Sequence, residues 1–233
     1  MKPNKAFAPD FVPRHTPVFP LMSLVYKLYM RLGRSRVRGR RNVPQKGPVI
    51  LAPNHVSMLD PPLVGIVCGR WPYTMAKAEL FKGVLGWVIE QMGTFPIHRG
   101  QADRRALKIA RKLLDEGQAL LIFPEGTRTR NGELGEAEIG VAMLAHASRA
   151  AVVPIFIAGT QGAFSPAHPG FAVVRTEIRI GKPLPLDDLY ARRANRETLE
   201  EINARLMNAI QALGNEGVAG QNTRKRDERA RRG

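Results

Sequence analysis

Cysteine is almost absent from this chain of 233 residues, which contains one, Cys68. A single cysteine excludes a disulfide within the chain and fits a reducing compartment. Because Cys68 ends an apolar run that begins at Leu63, we interpret it as a buried structural thiol and not as a nucleophile. Paired cysteines, the HExxH pattern and carboxylate clusters with ligand spacing are also missing, so we expect neither a bound metal nor a cofactor.

The sequence also lacks a long apolar run. No window approaches the roughly 20 apolar residues that span a bilayer. Asp10, Pro13 and Pro17 interrupt the region in which a signal peptide would lie, so we expect none. With 44% hydrophobic residues, the chain can bury one sizeable core, which predicts a single domain with tails.

Acidic residues are scarce at both ends of the chain, whose formal net charge is +16. Residues 1–46 contain eleven Lys or Arg and one acid, and residues 221–233 contain six and two, whereas residues 47–220 carry only +2. A nucleic-acid enzyme usually carries its basic groove through the folded body. Basic ends beside an apolar helix fit an anionic membrane surface better, and we expect no specific nucleic acid as a partner.

These differences predict a basic N-terminal segment 1–46, a domain 47–220 and a basic tail 221–233. We expect the tail to be disordered because Ala230 is its only apolar residue. Residues 20–31 predict an apolar, amphipathic helix with a thin polar stripe, which either packs on the body or lies in the lipid interface. The alternating arginines that follow predict an extended segment able to reach lipid headgroups.

From Pro48 onwards, strand and helix patterns alternate. This alternation predicts an α/β fold with a mostly parallel sheet flanked by helices. The predicted strands are 49–52, 73–76, 94–97, 119–123, 151–158 and 173–180, and the predicted helices are 61–68, 81–92, 103–116, 139–148 and 197–213.

A histidine and an aspartate, His55 and Asp60, follow the first strand of this domain. On one continuous helix they would face different directions. Pro53 and the run Asp60-Pro61-Pro62 instead predict a bend, with His55 on a loop and Asp60 at the N-cap of the next helix. Asp60 then either only caps the helix, or also accepts the imidazole N–H and stabilises the imidazolium.

Four blocks resemble those of the glycerolipid acyltransferase family, whose bacterial members include lysophosphatidate acyltransferase. The first matches the family's His-x4-Asp motif, and the similarity extends from about Val37 to Leu186. In order, the blocks are residues 54–60 (NHVSMLD), 93–100 (GTFPIHRG), 123–128 (FPEGTR) and 152–155 (VVPI).

The resemblance implies transfer of a fatty acyl group from acyl-CoA or acyl-carrier protein to the free hydroxyl of lysophosphatidate, giving phosphatidate. It implies a peripheral or monotopic enzyme at the cytoplasmic face of the cell membrane. His55 would be the general base and Asp60 its partner. Arg99 would bind the acceptor phosphate, and the remaining substrate contacts would come from the third block, namely Glu125, Gly126, Thr127 and Arg128.

Two departures from the family pattern leave the acceptor open. The family often has a short polar residue where His98 stands, and a basic pair where this chain has Glu136 and Glu138. The alternatives are therefore the same chemistry on another lysolipid or glycolipid, a thioester hydrolase, or a non-catalytic basic protein that binds lipid or nucleic acid. Glu125 can bind an acceptor hydroxyl, hold an arginine in place or serve a purely structural role.

Overall fold

The structure, a computed structural model, describes residues 13, 16, 18–98, 103–128 and 134–230. Arg99, predicted to bind phosphate, lies outside the described residues. Within these ranges the strands are β1 (Arg36–Arg38), β2 (Val49–Pro53), β3 (Tyr73–Lys77), β4 (Thr94–Ile97), β5 (Ala119–Leu121), β6 (Ala151–Ala158) and β7 (Glu177–Ile180). The α-helices are α1 (Val18–Leu32), α2 (Asp60–Cys68), α3 (Gly83–Gln91), α4 (Arg104–Asp115), α5 (Ile139–Ser148), α6 (Asp187–Tyr190) and α7 (Arg196–Ala230).

The strands form one sheet in the order β1-β7-β6-β2-β5-β3-β4. All neighbours pair in parallel except β6 and β7, which are antiparallel. Every residue of β2 is buried, as its unbroken apolar sequence requires in a strand covered on both faces. The predicted α/β fold with a mostly parallel sheet is therefore confirmed.

Helices cover both faces of the sheet and divide the core in two. One core cluster joins the sheet to α4, α5 and α7, and the other joins it to α1 and α2. Helix α1 packs on the second cluster through Tyr29, which is buried. Cys68 is buried in the same cluster, where burial raises the pKa of its thiol to about 12, as a structural cysteine requires.

Several helix and strand ends differ from the sequence prediction, among them those of α7, β7 and β5. Helix α7 continues to Ala230, so residues 221–230 are helical where we expected disorder. This segment lacks proline and glycine and is rich in arginine, and such a composition permits a helix to continue. Strand β7 begins at Glu177, not at residue 173, and β5 ends at Leu121, not at residue 123. Among the described residues, no helix is both long and apolar enough to cross a membrane.

Candidate active site

The first block leaves the sheet at a fixed point, where the side chain of Asn54 continues the pairing of β2 with β6. The Asn54 amide donates to the Ile157 carbonyl at 3.0 Å, and its oxygen accepts from the Ile157 N–H at 2.7 Å. These two bonds replace a pair of backbone hydrogen bonds between the strands, just after β2 ends at Pro53. His55 is therefore the first residue to turn away at the carboxyl end of the sheet, where ligands bind in open α/β folds.

His55 and Asp60 form a hydrogen-bonded pair. Nδ1 of His55 lies 3.0 Å from Oδ2 of Asp60, whose side chain is fully buried. The same oxygen accepts from the backbone N–H groups of Val56 and Ser57, each at 2.8 Å. A carboxylate that accepts two N–H groups is an acceptor toward the ring as well, so we assign Nδ1 as the donor, which leaves Nε2 as the ring nitrogen that can take up a proton.

The position of Asp60 corrects one prediction. Leu59, not Asp60, occupies the N-cap of α2, and no side chain caps this helix end. The Asp60 carboxylate turns back onto the loop that precedes it, because the bend brings the N–H groups of Val56 and Ser57 within reach. Of the two readings offered by the sequence, the geometry is that of a carboxylate that orients the imidazole.

Thr160 supplies a further hydrogen bond to Asp60, and this residue was not identified from the sequence. Its hydroxyl donates to the free carboxylate oxygen, Oδ1, at 2.7 Å, and both side chains are fully buried. Thr160 begins a 3-10 turn shortly after β6. The residue before it, Gly159, has φ +95°. A side chain at Gly159 would lie 2.0 Å from the Arg175 carbonyl, so this sharp turn requires glycine.

Glu125 connects the first and third blocks through the backbone. Its Oε1 accepts from the His55 N–H at 3.0 Å, and its Oε2 accepts from the Gly135 N–H at 2.9 Å. The side chain is buried. The neighbouring Phe123 stacks on the imidazole, with ring centroids 3.8 Å apart. The third block therefore holds both the backbone and the ring of His55.

The rest of the third block is more open. Gly126 has φ +65°, and a side chain there would meet Glu138 Cγ at 2.9 Å. Thr127 is exposed. The half-buried Arg128 donates to the Phe164 carbonyl at 3.3 Å. The structure thus places Glu125 on the backbone of His55 and Arg128 on the connection after β6, and it does not join the two as an ion pair.

A largely apolar cavity of about 550 Å³ adjoins this turn. Phe123, Pro124 and Gly126 form part of its wall, so Phe123 contacts both the cavity and the imidazole. The other apolar walls come from the two strands beyond β5 and from α4 and α5, and they include Met75, Ile97, Leu107, Val141 and Met143. Its size and lining are those of a small-molecule site. His98 lies at this cavity, and its backbone N–H donates to the Asp103 carboxylate at 2.9 Å.

The arrangement is suited to proton abstraction from a substrate hydroxyl. An imidazole with an available Nε2, a buried carboxylate bonded to Nδ1 and an apolar cavity on the other side of Phe123 are suited to general-base catalysis. Among the described residues, no group of three His, Cys, Asp or Glu side chains is placed to hold a metal ion.

Known proteins resemble this chain in sequence and in fold. A family model described as Acyltransferase matches residues 34–158, more than half of the chain. A 1-acyl-sn-glycerol-3-phosphate acyltransferase of Bacillus subtilis is 30% identical over 187 residues, which cover 78% of this chain and 89% of that protein. A chloroplast protein of the same name from Arabidopsis thaliana is 33% identical over 130 residues, which cover 53% of this chain and only 36% of the relative.

A solved structure is similar over most of the chain. The crystal structure of PlsC from Thermotoga maritima, titled a 1-acyl-sn-glycerophosphate acyltransferase, superposes with a TM-score of 0.68 at 23% identity. The match covers 84% of this chain and 80% of that one. At this level of identity the likeness shows a shared fold.

Proposed function

Because the chain belongs to the acyltransferase family, we propose that it transfers a fatty acyl group from a thioester donor to the free hydroxyl of lysophosphatidate, giving phosphatidate. The observation that carries the proposal is the pairing of His55 Nδ1 with Asp60 at 3.0 Å, which leaves Nε2 free to act as a base. Lysophosphatidate as the acceptor is supported by the two relatives named 1-acyl-sn-glycerol-3-phosphate acyltransferase.

In this mechanism, His55 Nε2 removes the proton from the acceptor hydroxyl as the oxygen attacks the thioester carbonyl. Asp60 stabilises the resulting imidazolium through the bond to Nδ1. The tetrahedral intermediate collapses, the carbon–sulfur bond breaks, and the thiolate takes up the proton from the imidazolium. A positioned base of this kind contributes about 10²–10⁴ in rate.

We assign the third block two different tasks. Glu125 positions His55 through the backbone, because both of its carboxylate oxygens are occupied by N–H groups. Gly126, Thr127 and Arg128 form the accessible part of the turn and bind the acceptor together with Arg99, whose charge suits a phosphate. The apolar cavity beside Phe123 receives an acyl chain.

We place the enzyme at the cytoplasmic face of the cell membrane, bound to an anionic surface through the basic N-terminal segment and α1. Helix α1 supports this placement because it exposes leucines while packing on the body through Tyr29. The donor is acyl-CoA or acyl-carrier protein, and the reaction needs no further cofactor.

A second acceptor class is favoured by one observation. The Glu138 side chain packs against Gly126, which places an acidic residue beside the turn assigned to the acceptor. A carboxylate there suits a headgroup with hydroxyl or ammonium donors better than a bare phosphate. The same transfer to another lysolipid or to a glycolipid acceptor is therefore the alternative.

The test is a panel of lysolipid acceptors incubated with one acyl-CoA, with products identified by mass spectrometry. We expect phosphatidate as the main product, and only a trace of it with His55→Ala. A different acylated lipid as the main product would replace lysophosphatidate as the acceptor. Free fatty acid formed whether or not an acceptor is present would show a thioester hydrolase and contradict the proposal.

A further inference from the structure

The outward face of α1 is apolar. Leu21, Leu24, Leu28 and Leu32 recur every three or four residues and therefore lie on one side of the helix, the leucine stripe. Each of these side chains is more than half exposed, from 56% to 66%. Tyr29, on the side of α1 that faces the body, is only 7% exposed. The helix thus has two apolar faces, and the body covers one of them.

The connection between β6 and β7, residues 159–176, continues this apolar surface. Phe171 is 67% exposed although its ring lies 6.0 Å from that of Tyr29. The Tyr29 hydroxyl also donates to the Ala172 carbonyl at 3.1 Å, which fixes the connection against α1. Val173 is exposed as well. Phe171 therefore adds a large apolar side chain beside the leucine stripe.

The other end of the same connection reaches the candidate site. The Phe164 carbonyl accepts from the Met58 N–H at 3.1 Å and from Arg128 at 3.3 Å, so it joins the first and third blocks. The Phe164 ring lies 5.8 Å from that of Phe171. Phe164 has φ +46°, a conformation disfavoured for residues with a side chain. Backbone bonds of the connection hold it there, including the Phe164 N–H to the Gly170 carbonyl at 3.0 Å.

Positive charge surrounds this surface. Arg36 and Arg38 are exposed on the edge strand β1, which pairs with β7 directly after the connection. Lys27 and Arg31 are exposed on α1. An apolar surface bordered by exposed cations is complementary to an anionic bilayer, whose headgroups lie above its acyl chains. This charge argues for a lipid surface as the occupant, and against a second copy of this basic chain.

We propose that Phe171 inserts into an anionic bilayer beside the leucine stripe, and that this contact stabilises the Phe164 carbonyl in the position that holds Met58 and Arg128. The β6–β7 connection then acts as a second membrane contact that couples docking to the arrangement of the site. The proposal rests on the proposed function, since it makes that acyl transfer faster at a lipid surface than in solution.

The test uses the full chain and two measurements. Co-sedimentation with vesicles of phosphatidylglycerol and phosphatidylcholine measures docking. Transfer to a water-soluble, short-chain lysophosphatidate, with and without such vesicles, measures coupling. For Phe171→Ser we expect vesicle affinity to fall about fivefold or more. We also expect the stimulation by vesicles to disappear while the rate without vesicles stays unchanged.

Two variants serve as controls. Phe171→Leu keeps an apolar side chain and should behave as wild type. Trp71→Ser removes another exposed aromatic side chain, but Trp71 precedes β3 and so lies at the amino end of the sheet, away from the site. It should change neither measurement. Unchanged thermal midpoints would show that each variant is folded.

Three outcomes separate the possibilities. If Phe171→Ser matches Trp71→Ser in both measurements, the proposal is overturned. If Phe171→Ser instead abolishes a concentration-dependent dimer in sedimentation velocity without changing vesicle binding, the surface binds a second copy and the proposal is wrong. If no acyl transfer occurs with any acceptor, the proposed function fails, while a loss of vesicle binding by Phe171→Ser would still support the docking surface.

Discussion

Asp60 and Glu125 are both buried carboxylates at the carboxyl end of the sheet, yet they hold different kinds of group. Asp60 binds an imidazole, a hydroxyl and two N–H groups. Glu125 binds two N–H groups, those of His55 and Gly135. The Asp60 network therefore bears directly on the charge of the imidazole, whereas Glu125 fixes where the residue carrying that imidazole lies. Changes in the two should alter different measured quantities.

The largest effect should come from removing the base itself. His55→Ala should lower kcat by about 10³-fold, because no proton acceptor replaces Nε2. The fold should persist, since Asp60 keeps its bonds to Val56, Ser57 and Thr160. Rates of phosphatidate formation and thermal unfolding curves test both statements. A rate within tenfold of wild type would mean that another group takes the proton.

Asp60→Asn should have the next largest effect. The amide oxygen can still accept the Nδ1 hydrogen, but it no longer carries the charge that stabilises the imidazolium. We expect kcat to fall by about 10²-fold or more while KM for the acceptor changes little. Steady-state kinetics across a range of pH measures this. A change confined to KM would place Asp60 in substrate binding.

Glu125→Gln tests how the role of Glu125 differs from that of Asp60. A glutamine has one acceptor oxygen for two N–H donors, the buried one of His55 and the more exposed one of Gly135, so one of them faces the amide NH2. This should lower the free energy of unfolding by about 1–3 kcal/mol. The resulting shift of His55 should lower kcat/KM about tenfold.

Urea unfolding and kinetics measure the two effects of Glu125→Gln. Glu138→Gln is the matched control, because Glu138 is an exposed carboxylate nearby and its loss should leave stability unchanged. A Glu125→Gln protein of normal stability with a large rise in acceptor KM would show that Glu125 binds substrate directly.

Thr160→Val should have the smallest effect. Valine matches the shape of threonine and removes only the hydroxyl bond to Asp60. We expect kcat to fall about fivefold, because the carboxylate is less firmly oriented. Thr160→Ser should restore the rate, which a purely steric role would not predict. Equal rates in the valine and wild-type proteins would remove Thr160 from the network.

Much of this fold follows from local patterns. The bounds of α5 and β6 agree with those predicted, because β6 is a continuous apolar run and α5 is a mostly apolar one, and a polar residue or a glycine lies within two positions of each end. The start of β7 was misjudged, since the alternation of residues 173–176 continues the strand pattern, whereas the Val174 N–H there donates to the Tyr29 hydroxyl of α1. Alternation in a sequence does not reveal whether a neighbouring strand is present to pair with.

The candidate site was only partly predictable for a similar reason. His55 and Asp60 are close in sequence, so a bend between them brings them together. Thr160 meets Asp60 from 100 positions away, through the pairing of β2 with β6. The one local signal was a glycine followed by a small polar residue at the end of a strand. The task of Glu125 depended on which backbone groups face it, and a sequence does not show this.

Asn54 has a consequence for motion. Its side chain bonds to Ile157 on a neighbouring strand, so the peptide that carries His55 is attached to a buried residue inside the sheet. Hydrogen exchange at the Ile157 amide should then require opening of the sheet itself, on the slow timescale of global unfolding. The backbone of His55 would stay fixed while the surrounding loops fluctuate, so the bound lipid, and not the imidazole, would move into the reactive position.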